Sequence, residues 1–153
     1  RASAAATIVR MNDDSISYRG VVYPWHCDHM GHMNVMWYTG KFDEATWQFF
    51  NALGLSAAWL KEANCGMAAV EQLTEYRREL HPGDLVSIYT ELVEVKAKAV
   101  RFRHEMRRDD KPGEICAVST LTGVFLDTTL RKACAFPMTM AERWRAGLGM
   151  PAA

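Results

Sequence analysis

The stretch from Trp25 to Phe50, WHCDHMGHMNVMWYTGKFDEATWQFF, changes character part-way and so constrains everything around it. It opens as a polar loop with three histidines, a cysteine and an aspartate, then becomes an apolar run at helical spacing. Tyr38, Phe42, Ala45, Phe49 and Leu53 recur three or four residues apart, which aligns them along one helix face. Asn34 suits the N-cap, because its side-chain oxygen can accept from an otherwise unpaired N–H of the first turn. Gly54 suits the stop. Gly40 costs roughly 1 kcal/mol against alanine inside a helix, and is expected to let that helix lie close on a sheet. Asp28 is then a carboxylate just ahead of a helix start, beside a cluster of free backbone N–H groups. Such a place can serve as a reaction centre.

The remaining periodicities supply the other layer. Ser17 to Tyr23 reads as a first strand that delivers Pro24 and the loop. SAAWLKEA, capped by Ser56, reads as a short second helix. From Gly66 the period becomes twofold: Met67 to Leu80 is expected as a long strand, closed by the turn signal His81-Pro82-Gly83-Asp84. Leu85 to Val95 follows, with Val86, Ile88, Thr90 and Leu92 on one face. Ala99 to Arg108 alternates more clearly, with Val100, Phe102, His104 and Met106 opposite Arg101, Arg103, Glu105 and Arg107. Asp109 to Gly113 is expected as a hairpin loop. Ile115 to Asp127 is apolar enough on both faces for a central strand. A terminal helix after Pro137 carries a capping-box pattern, Thr139 to Glu142. The order predicts an α+β domain, one antiparallel sheet around one main helix.

At 153 residues, with 18 basic and 18 acidic side chains, the chain is read as a single domain. Zero net charge gives no electrostatic case for nucleic acid or a membrane surface, and leaves little repulsion against self-association. No apolar run approaches the roughly 20 residues of a membrane-spanning helix. Cys27, Cys65, Cys116 and Cys134 show no C-x-x-C spacing and read as reduced thiols in a cytoplasmic protein. Residues 1–16 are taken as an N-terminal extension or cloning remnant, and 17–147 as the domain. RASAAATIVR lacks both a Met and the apolar core of a secretory signal.

Asp28 has two readings: a loop carboxylate capping a turn, or a nucleophile or general base where helix-start N–H groups polarise a carbonyl. Gly31 favours the second, since a glycine lets the backbone approach a ligand. His26, His29 and His32 match no established zinc spacing, so no metal is expected. His32 is expected to hydrogen-bond within the loop, or to orient Asp28 or a substrate. His104, on an apolar face, reads as a satisfied core histidine, and His81 as a solvated turn residue. The aromatics Trp25, Trp37, Tyr38, Trp47 and Phe50 serve equally as core, acyl pocket or subunit interface. Arg101, Arg103 and Arg107 are a solvated face, or a partner for substrate phosphates.

The segment Asp28-His29-Met30-Gly31-His32-Met33-Asn34, followed by Tyr38, resembles the D-x-x-G-H-x-N-N-x-x-Y pattern of hotdog-fold acyl-CoA thioesterases related to 4-hydroxybenzoyl-CoA thioesterase. TEYRRELHPGDLVSIYTEL, the strand ending VFLD, and RKACAFP echo the same family, so the resemblance runs from Tyr18 to Pro137. It implies a hotdog fold, an antiparallel sheet wrapped around one long central helix. It implies hydrolysis of acyl-CoA thioesters in a homodimer or homotetramer with shared sites, and no cofactor beyond the coenzyme A of the substrate. Asp28 then corresponds to the nucleophile or general base, and the backbone N–H at Val35, with Gly31, to the oxyanion-binding group. His32 and Asn34 correspond to orienting or catalytic helpers, and Trp37 and Tyr38 are assigned to substrate binding. Val35 replaces the pattern's second asparagine, so that side chain's role is absent. Related enzymes use a helix glutamate, for which Glu44 is the candidate. The variant HCDHMGHMNVMWYTGKFDEATW is similar to thioesterases of bacterial carnitine breakdown, which implies betainyl-CoA as substrate. A non-catalytic acyl-thioester-binding module and a hotdog hydratase or dehydratase are the alternatives.

Overall fold

The computed structural model describes residues 16–150. The expected N-terminal extension lies outside them except for Ile16, which already belongs to the first strand.

The helix that organises the chain, α1, spans Val35–Ala52. Asn34 caps it: its Oδ1 accepts from Met36 N–H at 2.9 Å, a cap of the kind worth about 1 kcal/mol. At the other end Gly54 takes φ +94°, a left-handed exit that favours glycine. Tyr38, Phe42, Ala45, Phe49 and Leu53 are all buried, as their spacing predicts. Burying each of the larger side chains contributes about 1.5–3 kcal/mol. Gly40 is a correction. A Cβ built there meets nothing within 4 Å, so close approach to the sheet is not what the glycine serves. Nothing in the structure explains it.

The second layer is one antiparallel sheet. β1 is Ile16–Val21, β2 Cys65–Tyr76, β3 Leu85–Val95, β4 Ala99–Arg108, β5 Lys111–Asp127 and β6 Lys132–Ala133. The order is β1-β3-β4-β5-β2, with β6 paired to the far end of β5. β5 is therefore interior, flanked by β4 and β2, as its two apolar faces predict. The residues of β3 and β4 assigned to the apolar faces are all buried. The sheet curls around α1 in the hotdog arrangement. A short helix α2, Ala57–Glu62, is capped by Ser56, and α3, Met138–Gly147, closes one end of the core.

Besides shifts of one or two residues at the ends of β1 and the start of β2, three features differ from expectation for identifiable reasons. β2 stops at Tyr76, not Leu80, because Arg77 and Arg78 both donate their N–H to Cys116 O, at 2.8 and 3.0 Å, and the ladder ends there. The hairpin expected over Asp109 to Gly113 narrows to Asp109-Asp110, with β5 opening at Lys111 and register shifts at Arg107 absorbing the extra residues. The Thr139–Glu142 capping box does not form: Pro137 occupies the N-cap with no side-chain bond, placing Thr139 inside the first turn.

One polar row runs through this core. His104 is fully buried between β3, β5 and α1, stacked on Phe42 at 5.5 Å. Thr46 donates to Phe42 O at 2.9 Å, so its oxygen is left to accept from His104 Nε2–H at 2.8 Å. His104 Nδ1 then accepts from Thr90 at 2.6 Å. Both ring nitrogens are satisfied in the neutral form. Burial depresses the imidazole pKa to about 3.

Candidate functional site

β1 leads through a 3-10 turn, Pro24–His26, into the polar loop. The loop is cross-braced. Cys27 and Met33 form an antiparallel bridge, Asn34 N–H donates to His26 O at 2.9 Å, and Met33 N–H donates to Leu80 O at 2.7 Å. Gly31, at φ +84°, makes the reversal and donates to Asp28 O at 3.0 Å.

This path sets the Asp28 carboxylate between two donors. Oδ1 accepts from Met30 N–H at 2.9 Å and Oδ2 from Asn34 Nδ2 at 2.7 Å. The Asn34 amide, then the Met30 N–H, hold the Asp28 pKa below the ordinary carboxylate value, with His29 and His32 adding smaller electrostatic help. Beside it the first turn of α1 points to solvent. Met36 N–H is taken by Asn34 Oδ1 and Trp37 N–H by Asn34 O. Val35 N–H has no acceptor among the described residues, and Val35 is 55% exposed. An ionised carboxylate and a helix-start N–H without an acceptor among the described residues thus both adjoin Asn34, an arrangement suited to a polarised carbonyl.

The other expected residues fall in different places. His32 bonds within the loop, as expected, with Nδ1 3.4 Å from Met33 O, while its Nε2 lies 3.7 Å from Glu79 Oε1 and it has no hydrogen bond to Asp28 among the described residues. Asn34, not His32, orients the aspartate. Tyr38 is buried, and its hydroxyl donates to Arg78 O at 3.1 Å, which pins the segment after β2 to the helix. Trp37 is half-buried over His26, ring centroids 4.4 Å apart. His26 accepts Tyr23 N–H at Nδ1, at 3.0 Å, and burial, then Lys41, lower its pKa. Glu44 is exposed on α1, about 13 Å along the axis from Val35. Trp25 is exposed and stacks on Tyr23 at 4.4 Å. Among the described residues no three His, Cys, Asp or Glu side chains converge on a metal position. The four cysteines are unpaired, and no described helix is long and apolar enough to cross a membrane.

Two residues near the site escaped sequence reasoning. Glu79 was absorbed into an overlong strand, because it shares the charged parity of Glu75 and Arg77 and so gives no break in the alternation. Lys41 is only 4% exposed; its Nζ donates to the Tyr18 hydroxyl at 2.9 Å and to Val21 O at 3.3 Å. Its position next to Phe42 on the buried face is the one signal that pointed to it. The basic face of β4 proves to be a ladder. Glu105 is held between Arg103 and Arg107, Arg103 also reaches Glu91 at 3.5 Å, and Arg101 reaches Glu71 at 3.7 Å.

Comparison with known proteins places this geometry. Residues 22–144 match the model of the thioesterase-like superfamily. No curated protein matches the sequence. Among solved structures, the hypothetical protein SAV2348 of Staphylococcus aureus, solved in complex with CoA, superposes with TM-score 0.76 at 18% identity, over 89% of this chain and 85% of that one. The BH1999 gentisyl-coenzyme A thioesterase superposes at TM-score 0.72 and 23% identity, over 83% and 98%. A 1,4-dihydroxy-2-naphthoyl-CoA thioesterase from Synechocystis gives 0.71 and 16%, over 86% and 93%.

Proposed function

Because the chain belongs to the thioesterase-like superfamily, we propose that it hydrolyses acyl-CoA thioesters to free acid and coenzyme A at Asp28. The observation that carries this reading is the Asp28 carboxylate, bonded to Asn34 Nδ2 at 2.7 Å next to the Val35 N–H, which has no acceptor among the described residues. The thioester carbonyl lies over the start of α1 and receives the Val35 N–H, with Gly31 allowing close approach. Asp28 attacks the carbonyl carbon, forming an anhydride that water then opens, or it takes a proton from the water that attacks. In either case the carbon–sulfur bond breaks and the electron pair leaves with the thiolate. A thiolate is a good leaving group and the helix N-terminus offsets the oxyanion charge, so no metal or cofactor takes part. Asn34 keeps the aspartate aimed, and His32, through Glu79, steadies the loop.

Three structural neighbours tied to CoA or its esters support the carrier. For the acyl group we take betaine, a quaternary ammonium that an aromatic face stabilises by about 0.5–2 kcal/mol. Support comes from Trp37, half-buried at the helix start, and from the exposed Trp25 on Tyr23. Tyr38 faces the interior and Trp47 lies roughly 15 Å along α1 from Trp37, so neither adds a wall to this centre in one chain. A homodimer or homotetramer fits the uncovered second half of β2, and a cytoplasmic location fits the substrate and the four thiols. The test is a panel of acyl-CoA esters, betainyl-CoA and 3,3-dimethylbutyryl-CoA among them, with free thiol release as the readout. Turnover of the panel with betainyl-CoA preferred over its neutral isostere is expected. Equal or better turnover of the isostere removes betaine, and no turnover of any ester leaves a binding module.

A further inference from the structure

Arg77 and Arg78, the first two residues after β2, line an open groove of about 680 Å³ together with Gly113, Glu114 and Ile115. We propose that Arg77 and Arg78 in this groove bind the phosphates of the thioester's carrier, so that the enzyme recognises a nucleotide-bearing thiol. This rests on the acyl-CoA hydrolase reading above and supplies a site for the substrate's charged end.

Two hydrogen bonds and one close approach tie the segment from Arg78 to Leu80 to the loop and helix of the reaction centre. The Tyr38 hydroxyl donates to Arg78 O, Met33 N–H donates to Leu80 O, and Glu79 faces His32. The same short segment, with Arg77 just before it, therefore holds the Asp28 loop at one end and presents two guanidinium groups at the other. A carrier whose thioester lies at the start of α1 can run along this segment into the groove. Guanidinium groups match phosphate oxygens in pairs, which a lysine cannot do. Gly113 leaves the floor open, since a Cβ there would meet nothing within 4 Å.

The present partners of these arginines are exchangeable. Arg77 Nη2 lies 3.3 Å from Glu75, and Arg78 Nε 3.7 Å from Glu114 while its Nη1 donates to Arg77 O at 2.8 Å. The Arg77 and Arg78 side chains are exposed, so these pairs contribute little and a phosphate can replace the carboxylates. The arginines of β4 are poorer candidates. Arg103 and Arg107 share the buried Glu105, and withdrawing either would strand that charge.

The experiment compares parent, Arg77→Gln, Arg78→Gln and Arg78→Lys on one acyl group carried by coenzyme A, dephospho-coenzyme A, 4′-phosphopantetheine and pantetheine. The Gln variants are expected to raise KM for acyl-CoA roughly tenfold or more, with kcat nearly unchanged and the Lys variant partly restored. On acyl-pantetheine, which has no phosphate, variant and parent should coincide. A full effect already present with 4′-phosphopantetheine keeps the site and makes a carrier protein's arm the source. An equal loss on all four esters, or none on any, would overturn the proposal. If the parent hydrolyses no thioester, calorimetry with coenzyme A alone separates the two claims. Binding lost in Arg78→Gln keeps the groove while the hydrolase reading falls, and unchanged binding removes both.

Discussion

Asn34 holds Asp28 and the helix at once: Nδ2 donates to the Asp28 carboxylate at 2.7 Å while Oδ1 accepts from Met36 N–H at 2.9 Å. One side chain thus fixes both the charged group and the dipole end that faces it. The separation of the two is set by the asparagine itself.

Asn34→Ser is expected to separate these roles. Serine still caps α1, but its short hydroxyl does not replace the amide donor on Asp28. The Asp28 pKa, held down mainly by that amide, then rises. Activity needs the ionised form, so the acid limb of kcat/KM should move to higher pH, with stability little changed. An acid limb at the parent position would show that Asp28 is not the titrating group.

His104 predicts a pH dependence of stability. Its folded pKa, about 3, lies below the ordinary histidine value of 6.5, so between those limits the unfolded chain binds a proton that the native one refuses. Stability from this group is therefore complete above about pH 6.5 and falls by up to about 1.4 kcal/mol per unit toward pH 3. Urea melts from pH 7 to 4 should show a shallower fall for His104→Leu than for the parent, whatever the variant's absolute stability. Parallel slopes would contradict the neutral, doubly bonded histidine.

β2 predicts self-association. It is an edge strand of the sheet, and from Ala69 to Tyr76 both of its faces are largely open, Val70 at 62% and Leu73 at 63%. Light scattering at micromolar concentration should give at least a dimer, and Val70→Lys with Leu73→Lys should reduce it to a monomer of lower activity. A fully active monomeric parent would remove the shared-site account.

Chelation should leave activity unchanged, since the three loop imidazoles take separate partners or solvent: His26 accepts from Tyr23, His32 faces Glu79, and His29 is exposed. Loss of activity after EDTA dialysis, restored by one divalent ion, would revive a metal reading of His26, His29 and His32.

Much of the fold was legible because periodicity reports one-sided burial. β3 and β4 have the bounds their alternation predicts, and the α1 face is buried where spacing places it. The errors fall where a local signal has a tertiary competitor. TEYRREL alternates through Leu80, but Cys116 O captures two successive N–H groups and turns the chain into the segment that braces the site. Thr139 and Glu142 match a cap that Pro137 pre-empts. In the site, Asp28, Gly31, Asn34 and Val35 were legible as a cluster because they lie within one loop and the first residue of the helix it feeds. The Asn34–Asp28 bond, the approach of His32 to Glu79 and the burial of Lys41 were not. The last two depend on how segments from elsewhere close over the helix start, and the first on the path of the loop itself, which no periodic pattern encodes.

The most direct measurement is thiol release from a hydrolysed acyl-CoA by Asp28→Asn, which keeps the shape and removes the charge. The account predicts a rate lower by roughly 10²- to 10⁴-fold, with coenzyme A binding and thermal stability close to the parent's. A rate within a few-fold of the parent would make Asp28 a structural loop residue and move the search for the catalytic carboxylate to Glu44.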